Sequence, residues 1–125
     1  MYPSEEELES VRLEGVVEPA KLPVGTTIFV ETTKHVFEFV FKKRTLYVSS
    51  SNTEAISGQY KCQIAGSIDE NGTLFAGLIV RNRHLIIDLH RHGRYVTGLV
   101  KSVSLRGPCW SYEMWPHTEA KLIGE

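Results

Sequence analysis

From residue 25 onward, apolar side chains recur at every second position in short runs separated by turn-forming residues, the pattern of half-buried β-strands. Ile28 and Val30 alternate with Thr27, Phe29 and Glu31 and predict a first strand. Thr32-Thr-Lys34 predicts a turn, after which Phe37, Phe39 and Phe41 share one face of a second strand, opposite Val36, Glu38 and Val40. Lys42-Lys-Arg44 reads as a hairpin tip, followed by a third strand with Leu46 and Val48 on one face. Ser49 through Gly58 lacks apolar periodicity and predicts a loop.

Lys61 to Ile68 alternates cleanly, with Cys62, Ile64, Gly66 and Ile68 on the face expected to be buried. A slip of one residue would expose that whole set, so the register is strongly specified. Asp69-Glu-Asn-Gly72 predicts a tight turn in which Asn71 and Gly72 take positive φ angles. Phe75 to Val80 is apolar on both parities apart from Gly77, which predicts a central strand covered on both sides. In 83–106, RHLIIDLHRHGRYVTGLVKSVSLR, Leu85, Ile87 and Leu89 alternate against His84, Ile86, Asp88 and His90. A turn at His92-Gly93 then leads into an extended segment over 94–105 with Gly98 as a bulge or bend. The predicted core is Phe37, Phe39, Leu46, Val48, Cys62, Ile64, Phe75, Ile79, Leu85, Ile87 and Leu89.

Short strands, tight connections and no long helix predict an all-β fold, specifically a small antiparallel β-barrel of SH3-like or Sm-like size, because closure removes exposed edges. Ahead of it, Ser4-Glu-Glu-Glu7 has capping-box spacing. Residues to about 15 are therefore either a short helix or a disordered acidic arm, with Gly15 to Pro23 as an extended linker. The expected organisation is an acidic N-terminal arm and linker over 1–22, the barrel over 23–106 and an aromatic extension over 107–125. Cys109, Trp110, Tyr112, Met114 and Trp115 make that extension too apolar for a free tail. It is expected to pack on the barrel or on a neighbouring subunit.

Residues 23–105 carry Gly25-Thr-Thr-Ile28, Thr32-x-x-x-Val36-Phe37-Glu38, Ala65-Gly-Ser67, Gly77-x-Ile79 and Val96-Thr97-x-x-Val100-x-Ser102-Val103. In these elements the chain resembles a group of small uncharacterised bacterial β-barrel proteins. His35 stands where that group usually has a small polar residue, and Gly98 where it has a serine. The resemblance implies the barrel and a bacterial source, and no catalytic residue.

The 125 residues are one domain's worth of chain. No run approaches the ~20 apolar residues that cross a bilayer, so no membrane partner is expected. The opening Met1-Tyr-Pro-Ser-Glu-Glu-Glu has neither the basic nor the apolar region of a secretory signal, and cytoplasmic location follows as the expectation. Cys62 and Cys109 then read as free thiols.

A net charge of −1 hides an asymmetry. Residues 1–20 carry six glutamates against Arg12, whereas residues 81–106 carry Arg81, Arg83, Arg91, Arg94, Lys101 and Arg106 against Asp88 alone. Either the basic segment serves an anionic partner, or the acidic arm lies across it.

His90-x-His92 is the sharpest chemical pattern, since residues two apart on a strand share a side and suit two ligands of one zinc. Asp88 and His84 share that outward parity, and Asp88, or Cys109 or His117 in the tail, would supply the third. At a turn that parity fails, and a solvated His/Arg surface explains the same residues, so no metal or other cofactor is assigned. Cys62 lies on the core face and Cys109 lacks a basic neighbour in sequence apart from His117, so neither reads as a nucleophile. Paired carboxylates for acid/base work are not evident, since Asp69-Glu70 reads as a turn and Glu5-Glu-Glu7 as a solvated or capping run, and the sequence has no phosphate-binding glycine loop, nucleophile elbow or Cys-x-x-Cys.

The chain is therefore expected to be a non-catalytic binding or assembly module, not an enzyme. It would act through the 81–106 face and the aromatic tail on a protein partner or a second copy. The binding candidates are Arg81, Arg83, His90, Arg91, His92, Arg94, Tyr95 and Lys101. The alternative is a small barrel binding single-stranded nucleic acid on the same face, with charge tracking the backbone and Tyr95 stacking on a base.

Overall fold

The computed structural model describes residues 2–50, 58–107, 111–113 and 121–123. It opens with α1 (Glu5–Glu14), which realises the capping box: Ser4 Oγ accepts from Glu7 N at 3.2 Å and Glu7 Oε1 accepts from Ser4 N at 3.1 Å. After it come β1 (Val16–Val17), a single 3₁₀ turn (Pro19–Lys21), β2 (Thr27–Thr32), β3 (Val36–Lys42), β4 (Thr45–Ser50) and β5 (Tyr60–Ile68). Then follow β6 (Leu74–Ala76), β7 (Ile79–Val80), β8 (His84–Leu89), β9 (Gly93–Arg106), β10 (Ser111–Glu113) and β11 (Lys121–Ile123).

Every pairing is antiparallel, and six strands form a closed hydrogen-bonded ring in the order β2-β3-β4-β5-β8-β9 and back to β2. Closure depends on β9, whose residues 93–99 pair with β8 and whose residues 100–106 pair with β2. Two register shifts bend it. One passes Thr97-Gly98 against β8, as expected of Gly98, and the other leaves Lys101 as an extra residue against β2. Outside the ring, β6 pairs with β5, β1 with β7, and β10 and β11 extend the sheet from β9.

The ring interior holds Ile28, Val30, Phe37, Phe39, Leu46, Val48, Cys62, Leu85, Ile87, Val100, Val103 and Leu105. Those on β3, β4, β5 and β8 are the apolar parity read from the sequence, although Ile64 and Leu89 are only half-buried. Phe75 belongs to a second, smaller cluster with Val11 and Val80, flanked by Leu8, Val16 and Leu78. This is why α1 holds its place: so short a helix is marginal alone, and Val11 anchors it against β6 and β7.

Three local expectations are corrected. Residues 75–80 do not form one strand, because Gly77 at φ +72° breaks them into β6 and β7, and Leu78 N closes the turn onto Phe75 O at 3.2 Å. Ile79 then faces the ring interior while Val80 faces α1, which accounts for the apolar run on both parities. On β5, Ala65 is an extra residue relative to β8, so the parity switches there and Ser67 is buried in place of Ile68. In the 69–73 turn only Gly72 has positive φ; Asp69 Oδ1 accepts from both Asn71 N and Thr73 N at 2.9 Å and shapes the turn without a strained Asn71. Of the expected 49–58 loop, Ser49 and Ser50 belong to β4, and residues 51–57 lie outside the described residues, as do Cys109, Trp110, Met114, Trp115 and His117.

Candidate functional site

The basic segment expected to form one face is divided between the two ends of the β8–β9 ladder. Arg81, Arg83 and Lys101 lie at one end, where Asn82 N donates to Val100 O and Val100 N to Arg83 O, both at 2.9 Å. His90, Arg91, His92 and Arg94 lie at the other, around the tip where Arg91 takes φ +65° and His92 N donates to Leu89 O at 3.0 Å. The length of β8 between them is roughly 20 Å. Tyr95 belongs to neither group, because its half-buried ring packs 5.8 Å from that of Phe37. The acidic helix covers β6 and β7 beside Arg81, whose N–H donates to Gly15 O at 3.1 Å.

What the fold does build is a cleft of about 700 Å³ at the mouth of the ring. Its inner wall consists of interior-parity residues of β3, β4, β5 and β8: Phe41, Leu46, Cys62, Ile64 and Leu89. Pro19 and Ala20, from the turn after β1, close one side. The lip is polar, with Arg44 in the β3–β4 turn, Lys61 and Gln63 on the outer parity of β5, Asp88 on that of β8, and His90 in the turn directly after β8. Local geometry sets these positions. Lys43 at φ +61° makes the two-residue turn that presents Arg44, and His90 N donates to Lys61 O at 2.9 Å, holding the two strands' lip residues side by side.

Electrostatically the lip is cationic. Its acid, Asp88, is engaged by Arg94, whose Nε and Nη2 donate to the two carboxylate oxygens at 2.7 and 3.4 Å. That hydrogen bonding, with the charge of Asp88, raises the Arg94 guanidinium above its ordinary pKa. Arg44, Lys61 and His90 remain exposed around the opening.

The groups read as candidates for chemistry are otherwise placed. Burial pushes the Cys62 thiol up to about 12, far from the reactive thiolate range. His92 rests its ring 4.8 Å from that of Tyr60, His84 Nδ1 is 2.8 Å from Thr97 O, and His90 lies on the cleft lip. Among the described residues no three His, Cys, Asp or Glu side chains converge as a metal site would require, and no helix is long and apolar enough to cross a membrane.

Of the sequence candidates only His90, with Asp88 from the zinc set, reaches the cleft; Arg44, Lys61, Gln63 and Phe41 were missed. They come from β3, the β3–β4 turn and β5, and the β3–β4, β4–β5 and β5–β8 registers bring them together with His90. The one local signal was Phe41, an interior-parity aromatic directly before the basic tip. No family model, curated protein or solved structure matches the chain.

Proposed function

We propose that the protein is a non-catalytic binding or assembly module built on a small antiparallel barrel of SH3-like or Sm-like size, with its binding site in the mouth of that barrel. The cleft carries the proposal. It has an apolar wall, a polar lip and a volume in the range of small-molecule sites, and barrel mouths are a preferred place for such sites. Phe41, Ile64 and Leu89 are half-buried there, apolar surface that an occupant would cover. A catalytic role finds little support, with Cys62 held neutral and Asp88 engaged by Arg94. Assembly draws support from β11, which among the described residues ends the strand path of the extended sheet, an edge on which a second copy would pair.

Titration with Nile red, a neutral apolar dye, tests the mouth as the site. Saturable binding at one site per chain, lost in a folded Ile64→Lys or Leu89→Lys variant, is the expected result. Undiminished binding by those variants, or none by the native protein, overturns it.

Single-stranded nucleic acid remains the second reading, on a different surface from the one expected. Phe29 on β2 and Tyr47 on β4 face outward, with Arg106 5.0 Å from the first ring and Lys42 5.4 Å from the second. Lys61 lies opposite Tyr47 in register. Bases stacking on these rings beside those cations would bind with strong salt dependence. A single-stranded oligonucleotide titrated at about 50 and about 200 mM salt decides the matter, since each neutralised phosphate steepens the salt slope by about 0.7. Binding lost on Tyr47→Ala would favour this reading, and no binding at the lower salt would exclude it.

A further inference from the structure

Taking the mouth as the binding site, we infer that its ligand is a small amphiphilic monoanion: an apolar chain or ring system carrying one carboxylate or sulfonate, with the apolar part against Phe41, Ile64 and Leu89 and the anion at Arg44, Lys61 and His90.

Each half of that ligand answers to a separate feature. The inner wall of Phe41, Leu46, Ile64 and Leu89 offers apolar contact, and its neighbouring thiol, Cys62, stays neutral. A ligand with polar groups along its length would lose hydration there with no partner to replace it. The lip, by contrast, presents two cations and an imidazole from three different segments: Arg44 in the β3–β4 turn, Lys61 on β5 and His90 directly after β8. Its acid is turned to Arg94 by two hydrogen bonds, so an incoming anion meets a net positive rim. Thr45 and Gln63 add neutral hydrogen-bonding groups at the same opening.

The layout also argues for a single charge. Lys61 and His90 stand side by side, held by the bond from His90 N to Lys61 O, and Arg44 joins them from the β3–β4 turn, so the three line one opening instead of forming a track along a strand. A polyanion needs successive contacts along its backbone, which this lip does not provide. Cleft size agrees: about 700 Å³ accommodates a small molecule and not a folded partner.

Decanoate and 1-decanol share an apolar chain and differ in the head group, so their displacement of Nile red isolates the anion's contribution. Decanoate, kept below its micelle concentration, is expected to displace the dye at a concentration about tenfold lower than decanol, and added salt should shrink the gap by screening the exposed lip. The doubly neutralised Arg44→Gln/Lys61→Gln variant changes only exposed residues and should bring the two ligands to near equality. Arg94→Gln, which releases the Asp88 carboxylate onto the lip, should weaken decanoate while leaving Nile red binding as it was. Equal displacement by both ligands in the native protein, or an unchanged ratio in the double variant, overturns the inference and leaves the mouth standing as a neutral binding site. Absence of binding by the dye, and of amide shifts at Ile64 and Leu89 on adding decanoate, overturns both.

Discussion

Ser67 ties β5 to Val80 across the break between β6 and β7: its Oγ accepts from Val80 N at 3.0 Å and donates to Leu78 O at 2.8 Å. The hydroxyl is fully buried and serves as the missing strand partner where Gly77 interrupts the ladder. Ser67→Ala leaves a buried N–H and a buried carbonyl without a partner and should cost about 1–3 kcal/mol. Urea denaturation measures it, and a loss near zero would mean that water or backbone takes the hydroxyl's place.

Ile87 lies at 0% exposure among the ring-interior side chains, in register with Ile64 on one side and Tyr95 on the other. Ile87→Ala should lower stability by roughly 2–5 kcal/mol, the transfer loss plus the cavity left behind. An equilibrium unfolding change below that range would show that the interior collapses around the gap.

Val11 is the buried contact of α1. Val11→Ala should remove part of the roughly 1.5–3 kcal/mol gained by burying a valine, and Ser4→Ala should cost about 1 kcal/mol through the lost cap. Because the helix packs on a cluster separate from the ring interior, hydrogen exchange should quicken in α1 while amides of β3 and β8 keep their protection. Uniform loss of protection would show that helix and ring unfold as one unit.

Cys62 sets an alkaline limit. Its thiol titrates at about 12 in the folded chain against an ordinary 9.0, so between these values the native state holds a proton that the unfolded state has released. Stability contributed by this group is complete below pH 9 and declines as pH rises toward 12. Cys62→Val should flatten that part of the stability–pH curve. In a Cys109→Ser background, Cys62 should react with a disulfide reagent at pH 8 only after denaturant is added; rapid labelling of the native protein would contradict its burial.

Strand positions were readable wherever a short-range rule operated. Phe37, Phe39, Leu46, Val48, Cys62, Leu85 and Ile87 alternate inward because period two is local, and the Ser4–Glu7 box is a contact between residues three apart. Reading failed where a partner strand decides. The extra residue at Ala65 is defined only relative to β8, so the switch that buries Ser67 has no mark in the 61–68 alternation. Val16 and Val17 looked like linker because their partner, β7, was hidden inside an apparently continuous apolar run. The candidate site suffered in the same way. Clustering Arg81 through Arg106 by sequence ignored that β8 separates its ends, while Arg44 and Lys61 become neighbours of His90 only through cross-strand register.

The long β9 strand also governs when this domain can exist. Thr27 pairs with Arg106, so nearly the entire domain lies between the two residues that complete the circuit. On the ribosome, the β2–β3–β4 meander can assemble early from neighbouring hairpins, but its β2 edge stays open until the last residues of β9 have emerged. Contacts so distant along the chain are costly in entropy and form late, which makes synthesis of β9 the step that converts an adhesive half-sheet into a sealed domain.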